Sequence, residues 1–417
     1  MRRAEWLFRS RDGTLSPGKR AHSGRIAATL AAGAMCSIAG AAPYPPVEQD
    51  RPPLVIKHHG IFWAGGTIRT RTQQGTETSG SVSVPIPGNF ELVNQLYVEY
   101  YIPEGATKPP IFMVPGGGLI SVHYLTTPDG REGWADFFLR RGYPVYMIDP
   151  PGRGRAGWSV DQYNDFINGL AGASAPPLLG RSDSSQWLEW NTGPTFGVHG
   201  PHDLTCTGDD NRGTLHIYCN GDQMPNDPES LKHWLGALVQ TGPSGNGTDA
   251  YIAAIQKIIA YHKSKVIYLG HSAGGSTGGQ LANAHPELFE ALIALEPASG
   301  CPFTGTLNQL AGLKGVPLLS LHGINQVGRP TTPGCLDAYD AINAAGGDAT
   351  FFSLLILPND PRFPFYSRIP RSNQIDDWGT DHLMFWDASS DRVAEVVADW
   401  LEDHVVQLRE TKGHGEQ

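Results

Sequence analysis

The sequence predicts an α/β fold, with a mostly parallel central sheet flanked by helices and one long insertion. Short apolar runs without alternation, such as 111–114 and 145–148, are typical of parallel strands that are buried on both faces. Helical patterns separate these runs, as in a βαβ unit. Between about 153 and 248 this alternation of strand and helix patterns is interrupted by a segment rich in Gly, Pro, Asn and Asp.

Composition bounds the classes of protein that this chain can be. With 417 residues, of which 40% are hydrophobic, the chain is long enough to bury a large core. The 51 Gly and 33 Pro show no repeat, which excludes collagen-like and low-complexity architectures. The net charge is −10, and the basic excess lies in the first 41 residues, so the remainder is more acidic still. Such a chain repels phosphate backbones, and we expect no nucleic-acid partner.

Residues 1–42 have the pattern of a secretory signal peptide. A basic stretch precedes an apolar run over 26–40, which closes on an A-x-A cleavage motif at 39–41. We therefore expect cleavage near Ala41 or Ala42 and a secreted or periplasmic protein. An uncleaved anchor and a lipoprotein anchor through Cys36 are the weaker alternatives. No later segment is long and apolar enough to cross a bilayer, so we expect no stable membrane insertion.

The remaining chain is expected to form a discontinuous α/β domain and an inserted cap. We assign residues 50–152 and 249–410 to the α/β domain and residues 153–248 to the cap or lid. A structureless loop of that length would be improbable inside a compact domain.

The α/β domain opens with an antiparallel pattern over 54–102. Strands are then expected over 111–114, 145–148, 266–269, 291–295, 316–321 and 350–357, and helices over 132–141, beyond Gly275 and over 336–345.

Two further helices show apolar residues at helical spacing. Thr248 or Asp249 can cap the first, whose apolar face is formed by Ile252, Ile255, Ile258 and Ile259. The second closes the sheet with Val393, Val396, Val397, Trp400 and Leu401.

Four cysteines follow the signal peptide, namely Cys206, Cys219, Cys301 and Cys335. An even number in an exported chain permits two disulfides in three possible pairings. Proximity in sequence favours Cys206 with Cys219 and Cys301 with Cys335. Buried free thiols are the alternative.

The most specific motif is a G-x-S-x-G sequence at 270–274. It directly follows the expected strand 266–269 and directly precedes a helix, as a nucleophile elbow requires. The serine of such an elbow sits on a tight turn, so the glycines on either side let strand and helix pass closely. We therefore predict Ser272 as a nucleophile.

A serine hydroxyl needs a base within hydrogen-bond reach, and the base needs an acid that orients it. His382 lies in the loop before the last helix, where the base is expected. The expected strand 316–321 leads only to the amides Asn325 and Gln326, whereas 291–295 ends directly in Glu296. Parallel strands place their carboxyl ends at the ligand-binding edge, so we predict Glu296 as the acid.

Three aspartates compete with Glu296 for this role. Asp337 and Asp340 fall inside an expected helix, and Asp381 is adjacent to the base, where we expect it to structure the loop.

The oxyanion of a tetrahedral intermediate needs two backbone N–H donors. We predict Ala273, which follows the nucleophile, and Gly117 and Gly118, which belong to the glycine run after the expected strand 111–114. A phosphate-binding loop is the alternative interpretation of this glycine run. No G-K-[ST] follows it and no dinucleotide-binding motif is present, so we expect no cofactor.

With these residues in place, the sequence resembles secreted bacterial serine esterases of the α/β-hydrolase superfamily that have an inserted cap and a Ser-Glu-His triad. The resemblance spans most of 55–405 apart from the cap, and its segments are 60–66, 127–131, 133–134, 138–143, Asp149 with 152–155, 295–297 and 343–347. It implies an α/β-hydrolase fold and a carboxylic ester hydrolase with Ser272, Glu296 and His382 as its triad. Some of these relatives have cysteines at the positions of Gly117 and Gly118, and the loop 358–378 is longer here.

Other patterns in the insertion have weaker meanings. The spacing of His199 and His202, with His216 and His233 nearby, could suggest a metal site. Without a nearby cysteine or carboxylate cluster we favour histidines that lie at the surface or pack the lid, and we expect no metal. Trp158, Trp187, Trp190 and Trp234 can line an acyl pocket or pack the core of the insertion.

Three functions fit the sequence to different degrees. An esterase acting on a small-molecule or lipid-like ester comes first. A lactonase or a cofactor-free C–C bond hydrolase would use the same triad. A non-catalytic binding protein is least favoured, because such a chain is expected to lose part of the triad or the glycine loop. The sequence indicates no oligomeric state.

Overall fold

The computed structural model describes residues 51–175, 180, 183–200, 221–238, 242, 247–303, 310–324, 332–355, 364–377 and 379–406. The strands in these residues are β1 (Ile56–Thr70), β2 (Thr76–Ser79), β3 (Val82–Pro85), β4 (Phe90–Pro103), β5 (Ile111–Val114), β6 (Val145–Asp149), β7 (Val266–His271), β8 (Phe289–Leu295), β9 (Leu318–His322) and β10 (Ala349–Ser353). The α-helices are α1 (Trp134–Arg140), α2 (Asp161–Ile167), α3 (Asp183–Glu189), α4 (Pro228–Ala237), α5 (Thr248–His262), α6 (Ala273–Ala284), α7 (Thr332–Ala344) and α8 (Ser390–Leu401).

The strand arrangement confirms the predicted α/β fold class. Over the described residues, eight strands form one sheet in the order β1-β4-β6-β5-β7-β8-β9-β10, and β2 and β3 form a separate hairpin. β4 is antiparallel to both β1 and β6. From β6 to β10 every adjacent pair is parallel. The segments that follow β5, β7, β8 and β9 therefore begin at one edge of the sheet, where α/β proteins build their sites.

Several predicted boundaries are corrected by the structure. The helix expected over 132–141 spans Trp134–Arg140, and the helix expected over 336–345 begins at Thr332. A proline is tolerated at position 333 because the first turn of a helix has no partner for its N–H. The strand expected to reach 357 ends at Ser353, where its neighbour β9 also ends.

The two amphipathic helices pack with the faces that the sequence predicts. In α5, Ile255 and Ile258 are fully buried, and Ile252 and Ile259 pack beside them. Neither expected cap residue is the cap, because Gly247 precedes a helix that begins at Thr248. In α8, Val393, Val397 and Leu401 are fully buried, Trp400 is nearly so, and Val396 packs against them.

A buried apolar layer covers each face of the sheet. Alternate residues of β5 divide between them, with Phe112 in the layer under α5, α6 and α7 and Met113 in the layer under α1 and α8. The second layer also contains Trp187, Trp190 and Trp234. These three tryptophans therefore have a packing role, whereas Trp158 is half-buried and lies outside this layer.

Cys301 and Cys335 form a disulfide with their Cα atoms 5.4 Å apart. It joins the segment after β8 to the first turns of α7. Cys206 and Cys219 lie outside the described residues, so their pairing stays a prediction. None of the described helices has the length and hydropathy of a membrane span.

Candidate active site

Ser272 lies at a sharp turn between β7 and α6. Its φ is +51°, a left-handed conformation that is uncommon for a residue other than glycine. The two flanking glycines leave no room for a side chain. A Cβ on Gly270 would lie 2.5 Å from the carbonyl oxygen of Gly274, and one on Gly274 would lie 2.6 Å from that of Val114. The geometry agrees with the expectation that glycines on either side of the serine let strand and helix pass closely.

Backbone hydrogen bonds hold this turn against the end of β8. The amide of Ser272 donates to the carbonyl of Leu295 at 2.9 Å, and the amide of Ala298 donates to the carbonyl of Ser272 at 3.0 Å. Ser272 itself is half-buried, so part of the residue remains accessible although its backbone is held by hydrogen bonds.

Glu296 and His382 lie in direct contact at the same edge of the sheet. Nδ1 of His382 is 3.0 Å from Oε2 of Glu296, and both side chains are almost wholly buried. The other carboxylate oxygen, Oε1, accepts a hydrogen bond from the amide of Gly323 at 2.5 Å. Glu296 has a φ of +44°, and its own amide donates to the carbonyl of Leu321 at 2.8 Å. The contact orients the histidine ring and leaves Nε2 as the nitrogen that can exchange a proton.

The competing aspartates have other contacts. Asp381 is fully buried, and its Oδ1 accepts from the amide of Leu383 at 2.6 Å, as expected of a residue that structures the loop. Burial raises the pKa of Asp381 to about 7. Asp337 and Asp340 lie on α7 and pair with Arg368. Asn325 and Gln326 lie outside the described residues.

The glycine run after β5 forms a tight turn beside Ser272. The amide of Leu119 donates to the carbonyl of Gly116 at 3.3 Å, and Gly118 has a φ of +75°, which is the geometry of a type II turn. A Cβ on Gly116 would lie 2.9 Å from Cβ of Ser272. The amides of Gly117, Gly118 and Ala273 have no hydrogen-bond acceptor among the described residues. They are therefore available as donors to a bound group.

His271 is a site residue that sequence reasoning missed. Its Nε2 lies 2.7 Å from the carbonyl oxygen of His382, and since a carbonyl only accepts, Nε2 carries the proton. Burial, together with the neighbouring His382 ring, holds the pKa of His271 well below its usual value. Its Nδ1 faces the glycine turn, 2.7 Å from where a Cβ of Gly116 would be. The neutral ring thus connects the turn at Ser272 to the loop that carries His382. No sign of this role was present in the sequence, because the second position of a G-x-S-x-G motif is variable.

The segment 153–248 is hydrogen-bonded to the loop that carries His382. The amide of His382 donates to the carbonyl of Trp190 at 3.2 Å, and their rings are 6.0 Å apart. Farther along the loop, the amide of Ala388 donates to the carbonyl of Gln223 at 2.9 Å. Trp187 and Trp234 are fully buried and pack edge to face at 5.5 Å, while Trp158 packs against Gly242. Of these contacts, those of Trp190 touch His382 itself.

The two described histidines of the segment 153–248, His199 and His233, have contacts that are not those of metal ligands. Nε2 of His199 lies 2.6 Å from the carbonyl oxygen of Met224, and the His233 ring packs edge to face on Trp386 at 5.5 Å. His202 and His216 lie outside the described residues. Over the described part of the chain, no group of three or more His, Cys, Asp or Glu is arranged to hold a metal ion.

Comparison with known proteins places this chain in a family. The chain matches the family described as "alpha/beta hydrolase fold" over residues 109–319, about half of its length. The protein therefore belongs to the α/β-hydrolase fold family.

Two relatives extend the comparison. A protein named "Probable secreted lipase phiG", from Fungal sp. (strain ATCC 74256), is 32% identical over 220 residues, which are 50% of this chain and 50% of that protein. The chain thus spans about half the length of this curated relative. A solved structure titled "The Atomic Resolution Structure of a Novel Bacterial Esterase" is 25% identical, with a TM-score of 0.65 over 86% of this chain and 99% of that chain.

Proposed function

We propose that this protein is a serine hydrolase that cleaves carboxylic esters through an acyl-enzyme, with Ser272, His382 and Glu296 as its triad. The observation that carries the proposal is the 3.0 Å contact between Glu296 and His382, beside a strained turn that presents Ser272. The similarity to a protein named a secreted lipase and to a structure titled an esterase supports ester hydrolysis.

In the proposed mechanism, Oγ of Ser272 attacks the ester carbonyl while Nε2 of His382 takes its proton. Glu296 accepts a hydrogen bond from the opposite ring nitrogen and stabilises the imidazolium. The amides of Ala273 and of Gly117 or Gly118 bind the oxyanion of the tetrahedral intermediate. His382 then gives its proton to the leaving alcohol, and water hydrolyses the acyl-enzyme by the same route. No step requires a cofactor.

The proposed substrate is a small-molecule or lipid-like ester, and the proposed location is outside the cytoplasm. The second proposal rests on the signal-peptide pattern of residues 1–42 and on the name of the secreted relative. The cap assignment for residues 153–248 is likewise a proposal, supported by the bonds between that segment and the His382 loop.

Turnover of a panel of nitrophenyl esters, with and without a serine-directed phosphonate, tests the function. We expect ester cleavage that the phosphonate abolishes and a phosphonylated peptide that contains Ser272. A lactone panel run in parallel separates ring opening from ester cleavage. Ser272→Ala and His382→Ala should each remove most of kcat, and the double variant should lose little more, because the triad acts as a unit. Additive losses, or labelling of a different serine, would contradict the assignment.

A further inference from the structure

Arg153 joins the loop after β6 to the glycine turn beside Ser272. It belongs to the sequence Gly-Arg-Gly-Arg at 152–155 and is half-buried. Its Nη1 donates to the carbonyl of Gly116 at 2.6 Å and, more weakly, to that of Leu119 at 3.4 Å. These two carbonyls belong to the first and last residues of the type II turn that contains Gly117 and Gly118. The guanidinium therefore links the first and last residues of the turn through their carbonyls.

The direction of one carbonyl determines the direction of the next amide. In a trans peptide the C=O and N–H groups point in opposite directions across the peptide plane. The carbonyl of Gly116 points at Arg153, so the amide of Gly117 points away from it. That amide has no acceptor among the described residues, and the turn lies against Ser272. A rotation of this peptide would turn the donor away, and glycines on both sides offer little resistance to such a rotation.

The charge of Arg153 adds to its geometric effect. A hydrogen bond from a guanidinium is stronger than one from a neutral donor. Because bonds that share a peptide group polarise one another, a carbonyl held by a cation makes the amide on the same peptide a better donor.

We propose that Arg153 is a positioning residue that aims the Gly117 amide at the oxyanion. This inference rests on the proposed esterase function and names the group that supports its oxyanion hole. The guanidinium acts through the Gly116–Gly117 peptide and does not itself touch the reacting atoms.

The neighbouring arginine has a different task. Arg155 donates through its amide at 2.9 Å and through Nε at 2.8 Å to the buried carboxylate of Asp149. Asp149 also accepts from the amide of Ser121 at 2.9 Å, so this pair holds the segment after the glycine turn. Gly154 separates the two arginines, and its φ of +46° lets them point to different partners.

The test is the kinetics of Arg153→Gln, Arg153→Lys and Arg153→Ala, with rates normalised to active sites titrated by the phosphonate. Removing an oxyanion donor costs about 10²- to 10³-fold in kcat, and we expect loss of its support to cost about 10- to 100-fold in Arg153→Gln. KM should change little, because the contact matters in the transition state. Arg153→Lys keeps one cationic donor and should lose less.

Two further readouts separate positioning from general damage to the fold. A trifluoromethyl ketone, which forms a tetrahedral adduct with serine, should bind more weakly to Arg153→Gln by the factor lost from kcat/KM. Millimolar guanidinium should restore part of kcat to Arg153→Ala and none to Ser272→Ala. Arg141→Gln removes an arginine whose guanidinium instead pairs with Glu395 and lies over the Phe137 ring, and should keep wild-type kcat.

The outcomes are distinguishable. Wild-type kcat per titrated site in Arg153→Gln, or a raised KM with unchanged kcat, would overturn the positioning role and leave the esterase proposal standing. If Arg153→Gln does not fold, Arg153→Ala decides by the same criteria, through its kcat per titrated site, its inhibitor affinity and its rescue by guanidinium. If the wild-type protein neither cleaves esters nor reacts with the phosphonate, the proposed function fails, and this inference fails with it.

Discussion

Replacing Glu296 with glutamine tests the least usual feature of the proposed triad. In the structure, one carboxylate oxygen accepts from the amide of Gly323 at 2.5 Å and the other lies 3.0 Å from Nδ1 of His382. Glutamine has one oxygen and one NH2 group. The Gly323 amide can only donate, so we expect the glutamine oxygen to face it and the NH2 group to face His382.

The consequence for His382 can be worked out from this orientation. An NH2 group that donates to Nδ1 forces the ring proton onto Nε2, and His382 can then no longer take the proton of Ser272. The imidazolium also loses its only proposed anionic partner. We expect kcat to fall by about 10²- to 10⁴-fold, in line with the wrong tautomer and the lost charge in other triads. The fold should persist, because the replacement is nearly isosteric and removes a buried charge.

The assay is ester turnover per phosphonate-titrated site, with circular dichroism and thermal melting to confirm the fold. Asp381→Asn and Asp337→Asn are the matched controls, and both should keep most of kcat, because the first carboxylate accepts from the amide of Leu383 and the second pairs with Arg368. Near wild-type kcat in a folded Glu296→Gln, or a collapse of kcat in either aspartate variant, would show that the wrong carboxylate has been assigned.

Three further predictions concern the disulfide, the glycine turn and the buried aspartate. Replacing Cys301 and Cys335 with serine should lower the free energy of unfolding by about 4 kcal/mol, because the cross-link joins positions 34 residues apart in the unfolded chain; an unchanged denaturation midpoint would contradict this. Gly116→Ala should sharply lower kcat, since its Cβ would lie 2.9 Å from that of Ser272, whereas Gly236→Ala on α4 meets nothing within 4 Å and should keep kcat; equal rates for the two would refute the argument. The pKa of Asp381 is raised to about 7 from 3.8, so the native state holds a proton that the unfolded state releases, and stability should fall as the pH rises between these values. Thermal melts across that range should show a flatter decline for Asp381→Asn than for the wild type.

Much of the candidate site could be predicted because it depends on local patterns and on one rule of topology. The G-x-S-x-G sequence between a strand and a helix requires a tight turn wherever it occurs, and the φ of Ser272 reflects that requirement. Glu296 follows a strand directly, and the ends of parallel strands meet at one edge. That rule places Glu296 at this edge, whereas its contact with His382, 86 positions away, also depends on the long loop between β10 and α8.

Only the tertiary structure could decide which side chains support these residues. The contact of Arg153 with Gly116 and that of His271 with the carbonyl of His382 join distant segments through single hydrogen bonds. Such contacts depend on loop conformation and on side-chain direction, and neither of these produces a periodic pattern of residues in the sequence. The same limit applied to Trp190, since a buried tryptophan and a pocket-lining one have the same sequence signal. The sequence by itself determined the fold class and the residues proposed to react, because strand order and turn sterics are local or topological. The packing of the insertion against the His382 loop was decided by contacts that form only when the whole chain is folded.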